Sequence, residues 1–142
     1  RRVTRDFDLL VAHPGEGLGS LIDVLYERGF ELASRVSAEG DVTATIANRR
    51  VAAARLRLDA PASAYFLDPD TWLRLDLLFD FPLPAATIAR RATIVKVRSR
   101  AWRVASEEDL LRMKWIAQAG RSSPGDAEDI AFLEARLTKR RK

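Results

Sequence analysis

Three aspartates carry the chemistry that this sequence suggests. Asp6 and Asp8 lie two residues apart in Arg5–Ala12 (RDFDLLVA), where Phe7, Leu9 and Val11 alternate with them. In an extended strand that spacing sends both carboxylates out of one face, about 7 Å apart along the backbone. Asp76 lies within Trp72–Phe81 (WLRLDLLFDF), the strongest strand pattern in the chain. There Leu73, Leu75, Leu77, Phe79 and Phe81 form one face, opposite Trp72, Arg74, Asp76, Leu78 and Asp80. Placed side by side, the two strands bring three carboxylates together. Such a cluster repels itself unless a proton or a cation compensates. Hard Mg²⁺ takes carboxylate oxygens together with substrate phosphates, and two such ions can clamp the attacking and leaving oxygens of a phosphoryl displacement. The competing reading is an ordinary solvated sheet face, with Arg55 and Arg57 as ion-pair partners for the aspartates.

The elements that must position these residues follow from the hydrophobic pattern. After His13-Pro14-Gly15, apolar positions at Leu18, Leu21, Ile22 and Leu25 predict a helix over Glu16–Arg28, stopped by Gly29. Phe30–Arg35 reads as a short strand. Asp41–Arg49 is ambiguous, with Asp41 a cap for a short helix. Val51–Leu58 (VAAARLRL) alternates and reads as a strand, and Ala60–Asp70 as a loop. Pro82 and Pro84 end the Trp72–Phe81 strand. Thr93–Val97 and Trp102–Val104 predict a hairpin about Ser99-Arg100. Ser106 and Asp109 form a capping box for a helix to about Ala119, and Asp126–Leu137 is a final helix with the stripe Ala127, Ile130, Leu133, Leu137. The expected fold class is α/β (α+β). It comprises one domain with a mixed β-sheet (core about 1–104), a C-terminal helical pair (about 106–138) packed on its apolar face, and a basic tail (139–142).

Composition sets the limits. The chain has 142 residues, 47% of them hydrophobic, which is enough for a substantial core. It contains no cysteine, so disulfides, thiolate metal sites and a cysteine nucleophile are excluded, and a cytoplasmic location is expected. No apolar run approaches the ~18 residues of a membrane span. Of 24 cationic residues 20 are Arg, a bias that suits phosphate recognition and equally reflects base composition. The net charge of +4 is carried entirely by residues 139–142. Elsewhere the chain is balanced, which argues against a protein that coats nucleic acid.

Several motifs together resemble a known family. Val3 through Val11 (VTRDFDLLV) is similar to the Arg-x-Thr-x-Asp-h-Asp-h-h signature, where h is hydrophobic, of the polymerase-β-like nucleotidyltransferase superfamily. The likeness is strongest to its small bacterial branch, the AbiEii type and the minimal nucleotidyltransferases linked to toxin–antitoxin and phage-defence systems. Arg74 to Leu78 resembles the strand that carries the third carboxylate. Ser106 to Lys114 (SEEDLLRMK) resembles the branch's Glu-Asp-Leu-hh-x-x-Lys helix, and Arg121, Asp126, Asp129 and Ile130 its Arg…Asp-x-x-Asp-Ile close. The resemblance implies a nucleotidyltransferase fold in which Asp6, Asp8 and Asp76 are catalytic and bind metal, with two Mg²⁺ ions. It implies transfer of a nucleotidyl group from an NTP to an acceptor hydroxyl on a protein, an RNA 3′ end or a small molecule. Thr4, Arg55, Lys114 and Arg121 become candidates for nucleotide binding.

The family also has a Gly-Gly or Gly-Ser turn ahead of its Asp pair, where backbone N–H groups hold triphosphate. Only five residues precede Asp6 and none is glycine, so the family's first strand and helix are expected to lie outside this chain. The Ser-Ser-Pro-Gly stretch after Arg121 is longer than the family's spacing. Two alternatives stand beside the enzyme: a catalytically inactive protein of the same fold that binds a partner or acts as an antitoxin, and an RNA-binding module. His13 reads as a loop residue, and Trp72, Trp102 and Trp115 as core.

Overall fold

The computed structural model describes residues 6–120 and 124–142. The chain divides into two compact units, the first ending at Phe81 and the second beginning at Pro82.

The first unit is a five-stranded mixed sheet with two helices on one face. Its strands are β1 (Asp6–Val11), β2 (Glu31–Val36), β3 (Val42–Ile46), β4 (Ser63–Leu67) and β5 (Arg74–Phe79), in the spatial order β1-β5-β4-β2-β3. β1 and β5 run parallel, and the other neighbours are antiparallel. Helices α1 (Leu18–Glu27) and α2 (Arg49–Asp59) bury Leu18, Ile22, Leu25, Ala52, Ala53 and Leu56 against Leu32, Ala64, Phe66, Leu77 and Phe79 of the sheet. At β1 only Val11 packs against this core. Phe7 and Leu9 stay exposed because β1 is an outer strand.

Two local expectations fail here and one ambiguity is settled, each for a physical reason. Residues 51–58 form a helix rather than a strand. Ala, Leu and Arg are strong helix formers, and the buried positions Ala52, Ala53 and Leu56 follow helical spacing, while Leu58 is 86% exposed. Asn48 starts α2, its side-chain oxygen accepting from the N–H groups of Arg50 (2.9 Å) and Val51 (3.3 Å). The 41–49 segment contains β3: Val42, Thr43, Thr45 and Ile46 are β-branched and favour strand. Within the expected loop 60–70 lies β4, a central strand with Phe66 fully buried. Because α2 is a helix, α1 and α2 together cover the apolar face of the sheet.

Tyr26 ties α1 to the sheet. Its hydroxyl donates to the Ile46 carbonyl (2.5 Å) and accepts from the Leu32 N–H (3.0 Å), and these two residues are register partners on β3 and β2. Gly29 ends the helix at φ +89°, and the adjoining Phe30 N–H bonds back to the Leu25 carbonyl.

The second unit contains α3 (Ala85–Arg91), the hairpin β6 (Thr93–Val97) and β7 (Arg100–Val104), α4 (Glu107–Gly120) and α5 (Pro124–Arg140). Leu111 of α4 is buried with Ile130 and Leu133 of α5. The expected cap at Ser106 is present, its Oγ accepting from the Asp109 N–H at 3.1 Å. Buried Asp109 receives two hydrogen bonds from Arg91, at 2.5 and 3.1 Å. Trp102 and Trp115 here, like Trp72 in the first unit, are half-exposed rather than core. Among the described residues no helix is long and apolar enough to cross a membrane.

Candidate functional site

The candidate site is the face of the β1–β5 pair opposite α1 and α2. Leu75, Leu77 and Phe79 point into the core, so strand alternation turns Arg74 and Asp76 to the other face. Parallel pairing sets Asp8 opposite Asp76 and Asp6 opposite Arg74. The sheet therefore brings all three predicted carboxylates to one face, with Tyr65 of β4 opposite Asp76 on its other side. Asp6 and Asp8 are exposed.

Asp76 is already engaged. Arg74 Nε donates to its Oδ1 at 2.6 Å and Arg74 Nη2 to its Oδ2 at 2.9 Å, a two-pronged pair whose side chains are only 16% and 14% exposed. A third donor, Nη1, bonds to the Gly40 carbonyl at 2.6 Å in the β2–β3 turn. The guanidinium stacks 4.2 Å from the Tyr65 ring centre. Partial burial alone would lower the Arg74 pKa. Hydrogen bonding to Asp76 and its charge, with smaller effects of Asp6 and Tyr65, leave it raised.

Arg74 thus stands within the acidic face. Among the described residues no three His, Asp or Glu side chains are grouped so as to hold a metal. The partner of Asp76 is Arg74, two residues away on its own strand, rather than Arg55 or Arg57. Arg55 lies on α2, on the other side of the sheet, half-exposed and 3.4 Å from Asp59, so it does not join the acidic face. Arg57, also on α2, lies along Gly19 of α1.

Lys114 belongs to the second unit. Its ammonium sits 3.1 Å from Asp126 and 2.9 Å from Asp129, joining α4 to α5. Thr4 and Arg121 lie outside the described residues. His13 is a loop residue, as expected: its N–H donates to Asp80 at 2.9 Å, and its Nδ1 accepts from the Gly15 N–H at 3.2 Å. Two open concavities, about 510 and 340 Å³, flank the start of α2, and Asp6, Asp8 and Asp76 line neither.

Neither Tyr65 nor Gly40 stands out in the sequence as a site residue. Tyr65 lies in a segment whose Ala, Pro and Asp content reads as a loop. Gly40 contributes only a carbonyl, which no side-chain pattern reveals. Compared with models of known protein families and with curated proteins, the chain matches none.

Proposed function

We propose that the acidic face of β1 and β5 is the metal and nucleotide site of a nucleotidyltransferase. Such an enzyme moves a nucleotidyl group from an NTP to an acceptor hydroxyl with release of pyrophosphate. The observation that carries this reading is the in-register opposition of Asp8 and Asp76 on parallel strands, with Asp6 on the same face. The donors are hard carboxylate oxygens, the chemistry that suits Mg²⁺. As they stand, Asp6, Asp8 and Asp76 are not grouped as a metal site and Arg74 holds both oxygens of Asp76, so these residues would have to rearrange to hold the cation, which when bound neutralises phosphate charge. On this reading Asp76 would also take the acceptor hydroxyl's proton. By the family resemblance, Thr4 and Arg121 contribute to nucleotide binding.

Calorimetric titration with Mg²⁺ and NTP, followed by a transfer assay with α-labelled NTP, tests the reading. Metal-dependent NTP binding that Asp8→Asn abolishes is expected. Absence of metal binding by the wild-type protein overturns it.

One observation favours a second reading, a catalytically inactive protein of this fold that binds a partner, as an antitoxin does. Both Asp76 oxygens are hydrogen-bonded to Arg74. On that reading Arg74 replaces the metal permanently, and the titration shows no heat.

A further inference from the structure

We infer that the groove between α1 and α2 binds a small phosphate-bearing molecule through Arg49, Arg50 and Arg57. The groove lies on the helix-covered side of the sheet, across from the acidic face, and does not depend on the nucleotidyltransferase reading. Its volume is about 340 Å³, with buried Ile22 and Ala53 at its floor. Arg50, Ala53 and Arg57 are spaced three and four residues apart on α2, which puts them on one stripe of the helix, and all three line the groove. Gly19 makes room from the α1 side. A β-carbon there would stand 3.3 Å from Arg57 Nη2, so the glycine lets the guanidinium lie alongside the helix.

The charge lining the groove is unbalanced. Three guanidiniums meet one carboxylate, that of Asp23, which leaves two positive charges over. Asp23 lies 3.4 Å from Arg49, and both side chains are half-exposed, a setting in which an ion pair holds weakly. Among the described residues neither Arg50 nor Arg57 is in an ion pair. Two positive charges in excess suit a dianion, and the planar guanidinium fork matches phosphate oxygens. A phosphate monoester brings a charge of about −1.5 to −2 at pH 7, whereas a carboxylate brings one charge. The concave shape, with an apolar floor and a charged rim, suits a small ligand rather than an extended strand. A second hollow of about 510 Å³ shares Arg49 and Arg50 and is also lined by Tyr26 and Ala47, which gives room for the organic part of an ester.

Amide nitrogen–proton spectra recorded while inorganic phosphate or glycerol 3-phosphate is added, without divalent cation, test this. Saturable shifts at Gly19, Asp23 and Ala53 are expected with both probes. Tighter binding of the ester would identify an organic phosphate as the ligand, and equal binding inorganic phosphate. Arg50→Gln and Arg57→Gln should each weaken binding about 10-fold, the equivalent of one charge-assisted hydrogen bond. Arg55→Gln removes the same charge from the same helix, outside the groove beside Asp59, and should leave affinity unchanged. Asp23→Asn should tighten binding because it releases Arg49, and with Arg50→Gln it decides the question if Arg57→Gln does not fold. Absence of saturable shifts in the wild type overturns the inference. Equal weakening by Arg55→Gln would show attraction to net charge alone, which also overturns it. A single-stranded RNA oligonucleotide that binds more tightly than either phosphate, through the same arginines, would make this a nucleic-acid surface and overturn the small-ligand assignment. Failure of the Mg²⁺ titration bears on the acidic face and leaves this inference standing.

Discussion

Asp8 and Asp76 stand opposite each other on parallel strands, and of the two it is Asp76 that Arg74 holds with both prongs of its guanidinium. Replacing Asp76 with Asn therefore does more than remove a candidate ligand. It leaves a mostly buried guanidinium facing a neutral amide that can accept only at its one oxygen. Asp76→Asn should lower stability by about 1–3 kcal/mol in urea unfolding without added metal, the cost of an unpaired buried charged group. The same substitution should abolish nucleotidyl transfer. An unchanged unfolding midpoint would show that the pair contributes nothing to the fold.

Tyr26→Phe should be costly although it removes a single oxygen. That hydroxyl bridges a backbone acceptor on β3 and a backbone donor on β2, so its loss leaves two main-chain groups unsatisfied beside the core. A loss of about 1–3 kcal/mol is expected in equilibrium unfolding, with the sheet retained by circular dichroism. Burial, the largest influence, raises the Tyr26 pKa, so the phenol remains a donor through neutral pH.

Asn48 is the start signal of the helix that the alternating sequence disguises. Asn48→Ala removes the acceptor of two N–H groups and should cost about 1 kcal/mol, whereas Asn48→Asp should be close to neutral. Thermal melts of the two variants side by side separate the loss of the cap from any change in packing.

Helix α4 of the second unit carries two opposite pH dependences. Hydrogen bonds from Arg91, then that from Ser106, outweigh burial and hold the Asp109 carboxyl below its usual range. A depressed carboxylate contributes stability above its unfolded pKa of about 3.9, lost as pH falls through the folded value. Lys114 runs the other way. Burial would lower its pKa, but Asp129 and Asp126 together raise it. Its contribution is complete below about pH 10.4 and lost as pH rises through the folded value. Melting temperatures against pH should show both limbs, with Asp109→Asn flattening the acid limb alone and Lys114→Met the alkaline limb alone.

Much of this is legible in single segments and little of it in their pairing. β5 is the plainest element because Leu75, Leu77 and Phe79 alternate with polar residues without interruption. The phase that buries them also puts Asp76 on the outer face, as expected. Residues 51–58 mislead because their apolar positions fit alternation as well as helical spacing, and the helix-forming composition with the Asn48 cap distinguishes the two. β4 is masked by the Ala, Pro and Asp residues around five short positions, yet its burial at the centre of the sheet depends on both neighbours. The sequence presents three arginines near enough in pattern to answer Asp76. Arg74 takes it because residues two apart on a strand share a face, while the helix carries Arg55 and Arg57 to the other side of the sheet.

The parallel pairing of β1 and β5 also fixes when the acidic face can come into being. Asp8 and Asp76 are 68 residues apart in sequence, whereas β2 and β3 meet across a short turn and α1 and α2 form from local contacts. Closing a long stretch of chain costs more entropy than closing a short one, and pairings of high sequence separation slow folding. The helices and the antiparallel strands can therefore organise first, and β1 docks onto β5 against a surface already in place. Until that last closure Asp6 and Asp8 are solvated far from Asp76, and their mutual repulsion is not part of the barrier to folding the rest.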